Sequence, residues 1–174
     1  KLYPYSADFA GETVEQKLTR MRRKMADKHG DALIISALDE IAWLLNIRGN
    51  DVAFNPVVVS YVVLEQDKCT LFVLPEKVDT VARNYLDFNN IDQQSYEAVF
   101  DYIRSLSGTV LFDGAKVSQA LYEAINQEAK AKAKANAVNT KSPILIDKAH
   151  KNAVELEGER TAMLQDSVAL TRFF

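Results

Sequence analysis

One segment, residues 36–56 with the sequence SALDEIAWLLNIRGNDVAFNP, constrains the fold more than any other part of the chain. It opens with Ser36 and then Asp39, a pattern that predicts a helix start, because a serine oxygen caps free backbone amides and an acid favours the positive end of a helix. The apolar run that follows contains Trp43, and the helical pattern then gives way to the polar loop of residues 46–51. We therefore predict a capped helix that leads directly into a polar loop.

Short runs of β-branched and apolar residues flank this helix and recur along the chain. They predict buried strands at residues 32–35, 57–64, 69–74 and 109–112. Only the four polar residues 65–68 separate the second run from the third, so these two strands are expected to form a hairpin. Because helical patterns lie between the other runs, we predict an α/β fold with a mixed β-sheet and flanking helices.

Amphipathic patterns predict the helices that cover this sheet. In residues 13–28 apolar side chains recur every three or four positions, Thr13 and Gln16 have the spacing of a capping box, and Gly30 marks the stop. The other face of this helix is basic and is predicted to be solvated; its members are Lys17, Arg20, Arg22, Arg23, Lys24 and Lys28. Further helices are predicted at residues 77–86, 95–106, 117–125 and 144–149, and from Asn152 to the last residue.

Residues 128–137, with the sequence EAKAKAKANA, are low in complexity. Lysine and alanine alternate, so a helix formed here would carry charge on all sides, and we predict the exposed end of the preceding helix. The alternative is an arm that binds an anion, which salt would weaken strongly.

Overall charge argues against nucleic acid and membrane partners. The 174 residues carry a net charge of −3 and have a pI near 5.5, so no positive field attracts a polyanion or an anionic bilayer. No apolar run approaches the ~18 residues that span a membrane. Cys69 is the single cysteine, which excludes an intrachain disulfide and fits a reducing compartment. We predict a cytoplasmic protein.

The sequence contains no recognisable catalytic motif. A metal site needs several donors that converge, whereas His29, His150 and Cys69 are each isolated in sequence. Acids beside the predicted strands leave one alternative, a two-metal nuclease that would bring three aspartates within about 4–6 Å of one another. These acids are Asp31, Asp39 and Asp113, with Glu40 adjacent. Their simpler interpretation is as helix-start and turn residues, so we predict no catalytic residue and no metal ligand in this chain.

Three stretches, LDEIAWLLNIRG, NPVVVSYVV and KNAVELEGERTAM, together resemble the Xaa-Pro aminopeptidases (aminopeptidase P) of the creatinase/prolidase superfamily, a group of pita-bread metallopeptidases. The resemblance implies a creatinase/prolidase N-terminal domain with a ribonuclease H-like motif over residues 13–150. It also implies a linker over residues 1–12 and, over residues 151–174, the first helix of a catalytic domain that lies outside this chain. On this interpretation the chain is a fragment of a longer protein.

Enzymes of this family remove an N-terminal residue that precedes proline, using two divalent metal ions, usually manganese, held by two aspartates, a histidine and two glutamates. The resemblance implies that these ligands lie beyond Phe174, so that the parent enzyme holds the ions and the fragment holds no cofactor. The implied partners are the catalytic domain of the same chain, peptides with proline at the second position, and a second subunit in a homodimer.

The same resemblance makes the polar loop a candidate for the substrate cleft or for an interface. Its candidate residues are Asn46, Arg48, Asn50 and Asp51. Arg48 is suited to pair with a substrate carboxylate or a partner's acid. The alternative is that Arg48 closes the helix end and that Asn50 or Asp51 forms a turn. For the chain as a whole, the alternative is a stand-alone α/β binding or scaffold module without catalytic activity.

Overall fold

The computed structural model describes residues 1–132 and 135–174. The strands are β1 (Tyr3–Pro4), β2 (Ala32–Ile35), β3 (Ile47–Arg48), β4 (Ser60–Glu65), β5 (Cys69–Val73), β6 (Asp92–Gln94), β7 (Gly108–Phe112) and β8 (Ala135–Asn139). The helices are α1 (Ala7–Ala10), α2 (Val14–Ala26), α3 (Leu38–Leu44), α4 (Thr80–Phe88), α5 (Ala98–Ser105), α6 (Gln119–Lys132), α7 (Pro143–Ala149) and α8 (Ala153–Phe173), and a 3₁₀ turn covers Pro75–Lys77. The predicted α/β class is confirmed.

The main sheet is mixed, with the strand order β6-β5-β4-β2-β7-β8. The strands β2, β4 and β5 are antiparallel neighbours, and the predicted hairpin joins β4 to β5 with Val62 opposite Leu71. The outer pairs are parallel: β5 with β6, β2 with β7, and β7 with β8. In each parallel pair at least one helix lies between the two strands in the chain, and these helices cover the faces of the sheet.

Strand β2 lies near the middle of the sheet and is buried on both faces. Its sequence ALII has no polar residue, as expected for a strand with helices on either side. Leu33 and Ile35 join the core beneath α2, α3 and α4, while Ala32 and Ile34 join the core beneath α5 and α6. Successive side chains of a strand point to opposite faces, so this single run contributes to both cores.

The first twelve residues contribute to the fold. Strand β1 pairs with β3 in a small antiparallel sheet, with Tyr3 opposite Arg48. Leu2 is buried, and its backbone N–H donates to the carbonyl oxygen of Lys77 at 2.9 Å. The division of the chain at residues 12 and 150 stays a prediction.

Several local predictions are confirmed and others are wrong. The Thr13–Gln16 capping box is present at the start of α2, and Ser142 caps α7 ahead of its proline. Ser36, however, does not cap α3: Ala37 occupies the cap position, and the Ser36 hydroxyl instead donates to the carbonyl oxygen of Lys116 at 2.9 Å. The hydroxyl that was expected to accept from the backbone amides of α3 therefore binds the turn that contains Lys116, far away in sequence.

The prediction for the lysine–alanine segment is confirmed in part, since residues 128–132 belong to helix α6. Helix α6 ends at Lys132, and Ala133 and Lys134 lie outside the described residues. Residues 135–137 do not continue the helix but begin strand β8, which pairs in parallel with β7. Neither β8 nor the short β6 was predicted, because their sequences ANAVN and DQQ lack the β-branched runs used to recognise the other strands.

Helix α8 begins at a capping box formed by Asn152 and Glu155 and continues to Phe173. No residue of α8 is buried, and its larger apolar side chains are exposed; they are Val154, Leu156, Met163, Leu164, Val168, Leu170 and Phe173. Among the residues that the structure describes, no helix combines the length and apolarity needed to cross a lipid bilayer.

Candidate functional site

A groove of about 1100 Å³ lies between the α3–β3 side of the domain and the first half of α8. Its lining from the domain includes Tyr5, Phe9, Trp43, Arg48, Pro56 and Val57, and α8 contributes Val154, Glu155, Gly158 and Ala162. Its aromatic and apolar side chains lie beside seven charged ones, so the groove offers both stacking surfaces and groups that form ion pairs.

Arg48 is the only one of the four predicted site residues that lines this groove. Its Nη1 donates to the carbonyl oxygens of Ala42 at 2.8 Å and Ile47 at 2.9 Å, and its guanidinium carbon lies 4.2 Å from the centroid of the Tyr5 ring. Burial lowers the pKa of Arg48, although neighbouring tyrosines and Glu155 partly offset this effect. Because Ala42 belongs to α3, Arg48 both stabilises the end of that helix and faces the groove.

Asn46 lies beneath the groove and not in its wall. It is buried and has a positive φ of 48°, a conformation that asparagine tolerates better than most residues. Its side-chain oxygen accepts from Lys17 at 2.8 Å, its side-chain nitrogen donates to the carbonyl oxygen of Glu12 at 2.8 Å, and its own carbonyl oxygen accepts from Tyr85 at 3.2 Å. These bonds connect four segments of the chain.

Asn50 and Asp51 are not among the residues that line the groove. Asn50 is exposed, whereas Asp51 forms a salt bridge with Lys77 at 2.5 Å and accepts from the backbone N–H of Val59 at 2.7 Å. Burial raises the pKa of Asp51, but the hydrogen bonds from Lys77 and Val59 outweigh it and leave the pKa below its usual value. Asp51 therefore fastens the loop to the turn before α4.

Trp43 and Lys17 form a contact that sequence reasoning missed. Lys17 is 1% exposed, and its Nζ donates to the carbonyl oxygen of Trp43 at 2.9 Å while lying 4.3 Å from the centroid of the indole. The prediction of a solvated basic face is therefore wrong at Lys17. The signal was present in the spacing, since Lys17 lies three positions after Val14 and four before Met21, on the apolar stripe of α2.

The acids of the nuclease alternative each bind a different partner. Asp31 accepts from the backbone N–H of Thr109 at 2.7 Å, Asp113 accepts from the backbone N–H of Ser142 at 3.0 Å, and Asp39 is paired with a lysine of α7. Among the described residues, no group of three or more histidine, cysteine, aspartate or glutamate side chains is placed to hold a metal ion. The convergence that the nuclease alternative requires is not found there.

Glu40 lies in the first turn of α3, as predicted, and it also makes buried contacts that the sequence did not show. It is 1% exposed, accepts from the Ser142 hydroxyl at 2.6 Å, and forms a salt bridge with Lys116. Three segments of the chain, α3, the turn after β7 and the start of α7, meet at this carboxylate. It is a buried polar contact that supports the elements beside the groove.

The chain matches a known protein-family profile. A profile of the Creatinase/Prolidase N-terminal domain family matches residues 1–155. Xaa-Pro aminopeptidase 1 of Dictyostelium discoideum is 38% identical over 167 residues, which cover 95% of this chain and 25% of that protein. A probable Xaa-Pro aminopeptidase P of Laccaria bicolor is 35% identical over 95% of this chain and 26% of its own length.

Solved structures show the same fold. The X-prolyl aminopeptidase of Caenorhabditis elegans, described as a cytosolic enzyme with a di-nuclear active site, matches 99% of this chain and 28% of its own at a TM-score of 0.86 and 26% identity. The N-terminal domain of the cytoplasmic peptidase PepQ from Mycobacterium tuberculosis matches 75% of this chain and 97% of its own at a TM-score of 0.57 and 16% identity. The chain spans about a quarter of the length of the aminopeptidases that it matches.

Proposed function

The chain belongs to the creatinase/prolidase N-terminal domain family, and from this premise we propose that it is the non-catalytic domain of a Xaa-Pro aminopeptidase. The parent enzyme removes the N-terminal residue that precedes proline. Relatives of that name support the proposal at 35–38% identity over 95% of this chain. The proposed location is the cytoplasm, which the single cysteine and the description of the worm enzyme as cytosolic both favour.

The two metal ions belong to the parent in this proposal, and manganese is the expected metal. The C. elegans neighbour, described as having a di-nuclear active site, supports a two-metal centre in the parent. The described residues do not fit such a centre, because no cluster of donor side chains among them could hold an ion. In this proposal the described residues therefore contribute no catalytic group to the hydrolysis.

The contribution of this chain is to shape the substrate cleft. The groove is the observation that supports a role in the substrate cleft. It lies between the rest of the chain and α8, which we propose to be the first helix of the catalytic domain. Trp43 and Tyr5 provide flat apolar walls, and Arg48 provides a cation beside them. A peptide lying against this wall would find stacking surfaces for its side chains and a partner for a carboxylate.

Selection by size follows from the same geometry. The groove is bounded on one side by α3 and β3 and on the other by α8, so we expect its width to limit the size of the peptide that it admits. Arg48 is already fixed by two backbone carbonyl oxygens and the Tyr5 ring, so little entropy is lost when it binds a carboxylate. We also propose that the exposed surface contributes contacts between two subunits of a homodimer.

The experiment compares the 174-residue chain with the full-length gene product in parallel. Release of the N-terminal residue from an Xaa-Pro-Xaa peptide is measured with added manganese. Activity in the full-length protein alone agrees with the proposal. Activity in the short chain contradicts it, and inactivity of both supports the stand-alone binding or scaffold module.

Arg48 is then tested in the full-length protein. Arg48→Ala is expected to raise KM for a peptide with a free carboxylate more than for its amide, because only the carboxylate can pair with the guanidinium. Arg104→Ala is the matched control, since Arg104 is exposed on α5 and pairs with Asp101 three residues away. Equal effects of Arg48→Ala on the two peptides would show that Arg48 does not face the substrate carboxylate.

A further inference from the structure

Lys17 is a buried cation whose close partners are all uncharged. It lies within the apolar stripe of α2, and its Nζ donates to the Trp43 carbonyl oxygen at 2.9 Å and to Asn46 Oδ1 at 2.8 Å. The third contact of the ammonium group is with the Trp43 ring, whose centroid lies 4.3 Å from Nζ. Two of the three contacts thus involve one residue, Trp43.

A second hydrogen bond of Asn46 determines which of its side-chain atoms faces Lys17. Its Nδ2 donates to the carbonyl oxygen of Glu12 at 2.8 Å, and a carbonyl can only accept. The Asn46 Oδ1 must therefore face Lys17, and it is suited to an ammonium donor. Asn46 Oδ1 and the Trp43 carbonyl oxygen thus offer the lysine two acceptors, and the indole ring adds a third contact that depends on its charge.

Trp43 carries this contact to the groove. One part of the indole rests against Lys17, another lines the groove, and Nε1 donates to Glu155 Oε1 of α8 at 3.3 Å. The residue is only 8% exposed, so small movements of the ring change the shape of the wall. Lys17 lies beneath the wall, and Glu155 lies across the groove from it.

Charged and titratable groups approach Lys17 from every neighbouring element: Glu12 before α2, Arg20 on α2, Arg48 on β3, Tyr85 on α4 and Glu155 on α8. Both acids are engaged elsewhere, since Glu12 binds Arg20 at 2.6 Å and Glu155 accepts from the backbone N–H of Asn152 at 3.0 Å. Burial therefore dominates and lowers the pKa of Lys17 to about 8, although Glu155 and Glu12 oppose the shift.

We propose that Lys17, in its protonated form, positions the Trp43 indole in the wall of the groove, and that loss of this proton releases the ring. A neutral amine has two N–H groups and a lone pair in place of three N–H groups, so when it donates to both oxygens it turns the lone pair, and no longer a cation, towards the ring. The positive charge that remains over the ring is then the more distant Arg20 guanidinium, whose carbon lies 5.8 Å from the ring centroid. This inference concerns the geometry of the groove and does not rest on the activity of the parent enzyme.

The experiment uses the intrinsic fluorescence of the 174-residue chain, because Trp43 is its only tryptophan. Emission and acrylamide quenching are measured across alkaline pH. The wild-type signal is expected to change with a midpoint near pH 8, and the quenching constant is expected to rise by about twofold as the ring loosens. Lys17→Met and Lys17→Gln should both lack this transition.

The control is Lys28→Met, which removes an exposed lysine of the turn after α2 and should leave the transition unchanged. A transition that persists in both Lys17 variants would assign it to another group and overturn the proposal, as would a flat wild-type profile. If neither variant folds, lysine side-chain carbon signals of the wild-type protein decide the question. One lysine must titrate with the midpoint of the fluorescence change; titration of every lysine near its ordinary pKa overturns the proposal.

Discussion

Gly11 and Asn152 are so close that a Cβ atom on the glycine would lie 2.3 Å from Oδ1 of the asparagine. Gly11 ends α1 with a φ of +70°, and Asn152 caps α8 while its Nδ2 donates to the carbonyl oxygen of Ala10 at 2.8 Å. The end of one helix is therefore attached to the start of another across 140 residues of sequence. This attachment fixes the start of α8, which provides one wall of the groove.

Gly11→Ala is expected to destabilise the protein by about 2 kcal/mol, since the new Cβ meets Asn152 and L-residues disfavour the left-handed conformation. Urea unfolding measures the change. Gly158→Ala is the matched control: nothing lies within 4 Å of its added Cβ, and it should stabilise α8 by about 0.5–1 kcal/mol. Equal behaviour of the two variants would contradict the close packing at Gly11.

Glu40→Gln is expected to destabilise the protein by about 2 kcal/mol, because the carboxylate is buried between Lys116 and Ser142 and a neutral amide cannot serve both donors as well. Asp39→Asn at the neighbouring position is the control, since the pair of Asp39 with Lys148 is largely exposed and should contribute less than about 0.5 kcal/mol. Thermal unfolding of both variants at neutral pH makes the comparison. A loss at Asp39 as large as at Glu40 would show that burial does not set these energies.

The Cys69 thiol is expected to react very slowly in the folded protein. Burial in β5 raises its pKa from 9.0 to about 12, which lowers the thiolate fraction by about 10³ at mildly alkaline pH. Labelling with a chromogenic disulfide in buffer and in urea measures the difference. Rapid labelling without denaturant would place the thiol at the surface.

The elements that the sequence predicted well are those where local pattern and burial agree. The run Ala32–Ile35 is apolar on both faces, and Thr13 with Gln16 forms its cap within one helical turn, so neither depends on distant residues. Strand β8 was missed because a parallel edge strand is specified by its neighbour β7 and not by its own sequence ANAVN. Ser36 was misassigned because its acceptor, the carbonyl oxygen of Lys116, is eighty residues away.

The candidate site likewise contains residues that local sequence predicts and residues that only the fold brings together. The polar loop was recognised from its composition, and Arg48 does line the groove. The residues that complete the wall, Tyr5 and Glu155, come from opposite ends of the chain, and only the folded structure brings them together. Lys17 was assigned to the solvated face because a charge is normally exposed, although its spacing places it on the apolar stripe of α2. Only the folded structure shows that α3 and Asn46 surround it.

The stability of the wild-type protein relative to Lys17→Met is expected to rise between about pH 8 and pH 10.5. The folded-state pKa of Lys17, about 8, lies below the ordinary value of 10.5, so in this window the unfolded chain binds the proton that the folded chain has lost. Stability therefore increases with pH, by about 3 kcal/mol for the full difference between the two pKa values. Urea unfolding of both proteins across this range gives the difference; a constant difference would mean that the lysine keeps its ordinary pKa.

The two roles proposed for Arg48, closing the end of α3 and facing substrate, can be separated by stability and activity measurements. In the 174-residue chain, Arg48→Met is expected to cost about 1–2 kcal/mol, because the carbonyl oxygens of Ala42 and Ile47 lose a charged donor. Arg48→Lys keeps one cationic donor for these oxygens but loses the planar fork that binds a carboxylate at two points, so it should cost less than about 1 kcal/mol. If Arg48 only closes the end of α3, the lysine variant of the full-length protein keeps nearly normal peptide kinetics. If it also faces substrate, KM rises in that variant although folding is preserved, and this pattern of a small stability loss with a clear KM effect is the result we expect.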